Sequence, residues 1–199
     1  MSDEKRPYRM QRRAELEEQT RRRITESAVS LHEELGPAHT SISAIAERAG
    51  VRRSTVYRHF PDEDRLFEAC SSHWREANPL PDPSSWSSLV DPAERTRSAL
   101  RTVYAFYGRT EAMYDSLLRD EPLVPAVERR LRDFYGYLWA VGDDLAAGRG
   151  LRGRARYVRA ALGHALAFPT WRSLTREQGL AEDDAVELMS RLVEDAGRA

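Results

Sequence analysis

The sequence has a single cysteine, Cys70, among its 199 residues, and it lacks any long apolar run. One cysteine can form neither a disulfide within the chain nor a cysteine-based metal site, which favours a reducing compartment. The N-terminal residues alternate in charge instead of forming a signal peptide, and no segment approaches the roughly 18 to 20 apolar residues of a membrane span. These absences predict a cytoplasmic protein without a membrane segment.

The signatures of catalysis and of bound cofactors are missing as well. There is no nucleophile elbow, phosphate-binding glycine loop or dinucleotide fingerprint. Adjacent acids such as Asp143 and Asp144 are typical of solvated charge. We therefore expect no enzyme activity, no metal and no cofactor. The histidines, which show no paired metal-ligand spacing, are His32, His39, His59, His73 and His164.

Positive charge is present but unevenly placed. With 31 basic and 32 acidic residues, the net charge of −1 does not indicate nucleic-acid binding for the chain as a whole. Residues 5–23, however, hold eight basic side chains against three acidic ones, and Arg52, Arg53 and Arg58 follow in a stretch without acids. Two segments near the N terminus are thus candidates for contact with a polyanion.

Hydrophobic periodicity is helical almost throughout, and no strand pattern competes with it. Ile24, Ala28 and Leu31, for example, recur on one face of a first helix. The segment 78–92 has four prolines and four serines in fifteen residues, which predicts a boundary. We expect an all-α protein of about nine helices, divided into an N-terminal region at 1–77, a linker at 78–92 and a C-terminal helical region at 93–199.

A helix-turn-helix is predicted around Gly50. Thr40 or Ser41 supplies an N-cap for a short helix, Gly50 ends that helix, and a third helix runs to about His59. Val56 and Phe60 fall on the same face of this third helix and point toward the core. Two short helices joined by a tight turn that contains glycine are the arrangement that places a second helix in the major groove.

The outward side of the third helix carries groups suited to DNA. Arginine can donate two hydrogen bonds to guanine, and hydroxyls can contact phosphate or thymine. A solvated charged face of an ordinary helical bundle is the alternative, but the turn, the cap and the core spacing together favour DNA. The candidate DNA contacts are Thr40, Ser41, Arg52, Arg53, Ser54, Thr55, Tyr57, Arg58 and His59. The basic segment 5–13 is either a minor-groove arm or a solvated tail.

The stretch TSISAIAERAGVRRSTVYRHFPDEDRLFEAC, residues 40–70, resembles the helix-turn-helix of the tetracycline-repressor (TetR) family of transcriptional regulators. The resemblance rests on IAERAGV at 45–51 and TVYRHF at 55–60, and it covers about residues 22–74. It implies that Arg53, Thr55, Tyr57 and His59 face DNA. Two positions depart from the family pattern: Arg52 replaces a small capping residue, and Ser54 stands where glycine is frequent. Both departures predict a weaker cap on the third helix.

The resemblance also implies a role for each region: an N-terminal arm and helix-turn-helix DNA-binding domain at 1–77, and a helical effector-binding and dimerisation domain at 93–199. It thus implies a homodimer and a small-molecule pocket. The last two long helices, about 154–176 and 182–196, would form the dimer, with the interface candidates Leu162, Leu166, Val186, Met189 and Val193. If these residues are not at an interface, they pack within their own subunit. The alternative for the pocket candidates is plain core, which aromatic side chains at helical spacing more often form. The candidates are Tyr104, Tyr107, Met113, Tyr135, Trp139, His164, Phe168 and Trp171. Pro169 should bend or break its helix.

The function that the resemblance implies is a homodimeric repressor that binds a palindromic double-stranded DNA operator and is released by a small-molecule effector. The alternative is a DNA-binding dimer without an effector, or an activator. The effector and the operator sequence are not predicted.

Overall fold

The computed structural model describes residues 5–149 and 153–198, and every regular element in these ranges is helical. This confirms the all-α fold class. None of the described helices is both long enough and apolar enough to cross a lipid bilayer. The α-helices are α1 Lys5–Glu34, α2 Ile42–Arg48, α3 Arg53–His59, α4 Glu63–Ala77, α5 Ser84–Ser87, α6 Pro92–Asp120, α7 Pro125–Ala146, α8 Ala155–Leu166, α9 Phe168–Arg172 and α10 Glu182–Gly197.

Ten α-helices in the described ranges are close to the predicted nine, and short elements account for the difference. The predicted linker contains the four-residue α5, whose Trp86 is fully buried. Pro169 breaks its helix as predicted, so that α8 and α9 are separate. A 3₁₀ turn at Pro37–His39 follows α1, and a single π-type turn at Ser173–Glu177 follows α9.

The first helix begins well before the apolar stripe that predicted it. Helix α1 extends from Lys5, and its positions 10–19 are exposed on all sides. No glycine interrupts this stretch, and ion pairs one turn apart, such as Arg13 with Glu17 at 3.2 Å, support an exposed helix. The basic segment 5–13 is therefore helical and continuous with α1.

The chain divides into two compact units. The amino-terminal unit comprises Met1–Pro79 and Asp115–Glu128, and the carboxy-terminal unit comprises Leu80–Tyr114 and Arg129–Ala199. Helices α1 to α4 of the amino-terminal unit share one core. Its members are small or aliphatic apart from Phe60 and Cys70, and they include Ile24, Ala28, Ile45, Val56 and Leu66.

The carboxy-terminal unit has a larger and more aromatic core, contributed by α6, α7, α8, α9 and α10. It also buries a guanidinium group. Arg149 donates to Glu194 Oε1 at 2.6 Å, to Thr96 Oγ1 at 2.5 Å and to the Pro92 carbonyl oxygen at 2.8 Å. This side chain joins the residues just after α7 to the start of α6 and to α10.

Candidate nucleic-acid interface

The turn between α2 and α3 has the capping geometry that the sequence predicts. Ser41 caps α2, because its Oγ accepts a hydrogen bond from the Ala44 amide at 3.1 Å. At the other end, Gly50 has φ 64°, in the left-handed region that glycine adopts without strain. The Gly50 amide donates to the Glu47 carbonyl oxygen and the Val51 amide to that of Ala46, which is the pattern of a Schellman motif. This motif ends α2 sharply and sets the direction of α3.

Helix α3 is anchored on one side only. Val56 and Phe60 are buried, as predicted. The Arg21 guanidinium lies over the Phe60 ring, 4.3 Å from its centroid, and donates to the His59 carbonyl oxygen at 3.1 Å. Arg21 comes from α1, 38 positions earlier in the sequence, and no local pattern marks it as a support for α3.

The opposite side of α3 is exposed and basic. Arg53, Ser54, Tyr57 and Arg58 are exposed, and so is Arg52 just before the helix. Residues 51–60 contain no acidic side chain. Arg52 makes no side-chain capping bond, which agrees with the weaker cap expected at this position. The face thus presents guanidinium, hydroxyl and phenol groups, which are the donors used against phosphates and base edges.

The other predicted DNA contacts are less exposed. Thr55 and His59 are half-buried. Burial lowers the pKa of His59, and the neighbouring charges of Arg58 and Arg21 lower it further. Thr40 is half-buried, and its hydroxyl donates to the Gly36 carbonyl oxygen at 2.8 Å. Ser41 stays exposed while it caps α2.

Comparison with known proteins agrees with this geometry. Residues 24–70 match the family model described as bacterial regulatory proteins of the tetR family. These residues form a TetR-family amino-terminal domain. A relative from Mycobacterium tuberculosis, the HTH-type transcriptional repressor Rv3405c, is 44% identical over 50 residues, which are 25% of this chain and 27% of the relative. The chain therefore spans about a quarter of the length of the curated relatives that it matches.

Solved structures extend the likeness of fold beyond the TetR-type domain. A TetR-like regulator from Rhodococcus sp. RHA1 has a TM-score of 0.59 at 18% identity, with 88% of this chain and 93% of that chain covered. NalD of Pseudomonas aeruginosa, the secondary repressor of the MexAB-OprM multidrug efflux pump, has a TM-score of 0.57 at 20% identity, with 90% and 96% covered. At these identities the likeness shows the fold alone.

Ahead of the TetR-type core, the basic start of α1 is open to solvent. Arg12 and Arg13 are exposed, as are the apolar side chains of Tyr8 and Met10. The side chains of Lys5, Arg6 and Arg9 lie outside the described residues. Contact of this segment with DNA stays a prediction.

The predicted effector residues separate into two groups. Tyr104, Tyr107, Met113, Phe168 and Trp171 are buried in the carboxy-terminal unit. The Tyr107 ring lies 5.3 Å from Phe168 and 5.8 Å from Trp171 between centroids. By contrast, Trp139 is 75% exposed, Tyr135 is 41% exposed, and His164 is also exposed.

The break between α8 and α9 explains why two tyrosines lie in this apolar core. Pro169 has no amide hydrogen to donate to the Ala165 carbonyl oxygen, and the backbone at Ala167 is extended instead of helical. The Tyr104 hydroxyl donates to the Ala165 carbonyl oxygen at 2.8 Å, and the Tyr107 hydroxyl donates to that of Leu166 at 2.5 Å. Burial raises the pKa of both phenols, so they remain protonated donors. The nearby Trp171 Nε1 is buried and has no partner among the described residues.

The predicted dimer residues all face the interior of this chain. Leu162 and Leu166 on α8, and Val186, Met189 and Val193 on α10, are buried within the carboxy-terminal unit, where the two helices pack together. This is the packing within one subunit that was the alternative expectation. Their part in a dimer stays a prediction. The exposed large apolar side chains of the same two helices are Tyr157, Leu188 and Leu192.

Proposed function

We propose that this protein is a transcriptional regulator of the TetR family that binds double-stranded DNA through α3. The observation that carries the proposal is the one-sided anchoring of this helix. Val56 and Phe60 hold it in the core, while Arg53 and Arg58 remain exposed on a face without acids. A helix held in this way presents its arginines to a groove without unfolding any part of its own domain.

The test is a selection of binding sites from random oligonucleotides, followed by gel shifts with Arg53→Ala and Arg58→Ala. Loss of a base contact should cost about 1 to 3 kcal/mol and relax preference at one position. Loss of a phosphate contact should instead weaken all sequences alike and reduce the salt slope by about 1. Arg101→Ala on α6, an exposed arginine paired with Asp183, is the matched control and should bind like wild type. A wild-type protein that selects no sequence would contradict the proposal.

The working form in this proposal is a homodimer, with residues 1–77 binding DNA and residues 93–199 serving dimerisation and effector binding. Two copies of α3 about one helical turn of DNA apart would read a palindromic site. The five interface candidates predicted from the sequence are buried within the chain. The exposed side chains of Tyr157, Leu188 and Leu192 are therefore better placed to contact a second subunit. A Leu188→Glu, Leu192→Glu double variant should sediment as a monomer where the wild type sediments as a dimer.

The proposed regulation is repression that a small molecule relieves. Two observations support a ligand in the carboxy-terminal unit: the aromatic cluster around Tyr107 and the unpartnered Trp171 indole N–H. A ligand releases DNA only if it prefers a conformation with low operator affinity. Thermal-shift screening of metabolites, followed by gel shifts with the hits, tests this part. Stabilising compounds that never release the operator would contradict it.

A further inference from the structure

The C-terminal end of α6, residues 115–120, lies in the amino-terminal unit and contacts the end of α1. Its side chains supply hydrogen-bond donors to carbonyl oxygens at that end. The Ser116 hydroxyl donates to the His32 carbonyl oxygen at 2.8 Å, although the two residues are 84 positions apart. The Arg119 guanidinium donates to the Leu35 carbonyl oxygen, also at 2.8 Å. The end of α1 is thus held by a distant segment of the chain.

Asp120 holds the turn that follows α1. Its side chain is fully buried. One carboxylate oxygen, Oδ2, accepts a hydrogen bond from the Ala38 amide at 3.0 Å, and the other, Oδ1, accepts one from Arg119 Nε at 2.9 Å. Ala38 is the middle residue of the 3₁₀ turn Pro37–His39. Because both oxygens of this carboxylate are engaged, and charge-assisted hydrogen bonds are strong, Asp120 fixes the place of the turn.

The backbone at Gly36 passes very close to the end of α6. Gly36 has φ 88°, in the left-handed region that suits glycine. A methyl group on its Cα would overlap both Arg119 Nη2 and Asp120 Oδ2. A larger residue therefore fits here only if the turn or these two side chains move. The turn and the end of α6 are packed as one piece.

This turn leads directly into residues that are predicted to contact DNA. The Thr40 amide donates to the Pro37 carbonyl oxygen at 3.3 Å, and the Thr40 hydroxyl donates to that of Gly36 at 2.8 Å. Ser41 comes next, and its exposed hydroxyl oxygen accepts from the Ala44 amide. The hydrogen of this hydroxyl has no acceptor among the described residues, so it can be donated to a phosphate oxygen.

We propose that Asp120 is a positioning residue for DNA binding. Through the turn at residues 36–39 it sets where Ser41 lies against the DNA backbone, and it does not touch DNA itself because it is buried. This inference rests on the regulator function proposed above. Val56 and Phe60 anchor α3 separately, so the effect of Asp120 is on the contact at the start of α2.

The test is the operator affinity of Asp120→Asn and Arg119→Ala, measured by gel shift on the sequence that the wild type selects. Asparagine has only one acceptor oxygen, so it cannot accept from both Ala38 and Arg119. We expect each variant to bind the operator at least about 5-fold more weakly. Arg119 is half exposed, so its variant should fold even if Asp120→Asn does not.

Arg149→Ala, in the carboxy-terminal unit, is the control for loss of stability. It removes a buried ion pair, yet it should bind the operator like the wild type when only folded protein is counted. An equal loss of affinity in Arg149→Ala and in the two α6 variants would overturn the proposal. So would wild-type affinity in both α6 variants.

A double-mutant cycle separates positioning from stability. If Asp120 acts through Ser41, the effect of Asp120→Asn should shrink to less than about 2-fold once Ser41→Ala is present. Combined with Arg58→Ala on α3, the two losses should instead multiply. Losses that multiply in both cycles would contradict the proposal. A wild type that selects no sequence overturns the regulator function as well, whereas a wild type and an Asp120→Asn variant that bind the operator equally contradict only this inference.

Discussion

In the helix-turn-helix, the polar groups at helix ends are satisfied by residues that are close in sequence. The Ser41 hydroxyl oxygen accepts a hydrogen bond from the Ala44 amide, three positions away. At the other end of α2, the last carbonyl oxygens accept hydrogen bonds from the amides of Gly50 and Val51. At the break between α8 and α9, the freed carbonyls of Ala165 and Leu166 are satisfied by tyrosines 61 and 59 positions away. Capping by neighbouring residues can be recognised in the sequence as a motif, whereas capping by distant residues cannot.

The same contrast holds for buried charge. The arginines on the exposed face of α3 lie in consecutive turns of one short helix, so their clustering is visible in the sequence. The Arg149 side chain of the carboxy-terminal unit is buried. It has one local partner, the Leu145 carbonyl oxygen four positions away, whereas Glu194, Thr96 and the Pro92 carbonyl oxygen lie 45 to 57 positions away.

Arg149→Ala should have the largest effect on stability. It leaves Glu194, Thr96 and the Pro92 carbonyl oxygen without their shared donor, and breaking a buried pair of this kind costs about 3 to 4 kcal/mol. Thermal unfolding should shift downward by about 2 to 4 °C per kcal/mol for a chain of this size. Arg159→Ala, which breaks the exposed pair with Asp143, should cost less than about 1 kcal/mol. Similar losses in both variants would contradict the role of the distant network.

Stability should fall as pH falls from 6.5 to about 4, because of His32. Burial lowers the folded-state pKa of His32 to about 4, whereas the unfolded value is 6.5. Between these values the unfolded chain binds more protons, so stability rises with pH across the window and is fully present above it. The expected loss is about 2 to 3 kcal/mol, measured by urea unfolding at several pH values.

His32→Gln is the control for this pH dependence, and it should flatten the slope in the window. Asp120 also has a lowered pKa, held down by the Arg119 guanidinium and the Ala38 amide against the raising effect of burial. Its contribution is lost only as pH falls below its ordinary value of 3.8. An unchanged slope in His32→Gln would assign the effect to other groups.

Tyr104→Phe tests distant capping directly. It leaves the Ala165 carbonyl oxygen buried without its donor, at an expected cost of about 1 to 3 kcal/mol. The exposed Tyr8→Phe on α1 is the matched control and should change the free energy of unfolding by less than about 0.5 kcal/mol. Equal effects would mean that the hydroxyl of Tyr104 adds nothing at the break.

Ser41→Ala tests local capping, with the smallest expected effect. Loss of the hydrogen bond from the Ala44 amide should cost about 1 kcal/mol by denaturant unfolding. Ser43→Ala, an exposed serine inside α2, keeps this cap and should be neutral or slightly stabilising. A larger loss for Ser43→Ala than for Ser41→Ala would contradict the cap assignment.

Much of the amino-terminal unit was predictable from the sequence. An N-cap at Thr40 or Ser41, the turn at Gly50 and the buried pair of Val56 and Phe60 all follow from residue type and helical spacing. The structure confirms the turn and the buried pair, and it assigns the cap to Ser41. Each depends on neighbours within a few turns. Arg21, which supports α3 from another helix, follows no such rule.

The carboxy-terminal unit was predictable only as a set of helices. Apolar stripes predicted the helices of this unit, and Pro169 predicted the break between α8 and α9. Which side chains of these helices are exposed depended on what each helix packs against. Trp139 and Tyr135 lie on an exposed side of α7, although aromatic side chains at helical spacing more often form core. The five apolar residues expected at an interface are buried within the chain instead, because α8 and α10 pack together.

The sequence by itself determined that this chain is helical, where its helix-turn-helix lies and which basic side chains of α3 are exposed. These features depend on periodicity, caps and turn residues, which act over a few positions. Only the tertiary structure decided which polar groups meet across the fold: the tyrosines at the α8–α9 break, the buried Arg149 side chain and the Arg21 guanidinium that supports α3. Such pairings join residues tens of positions apart, and the energy that stabilises them exists only once the helices have packed.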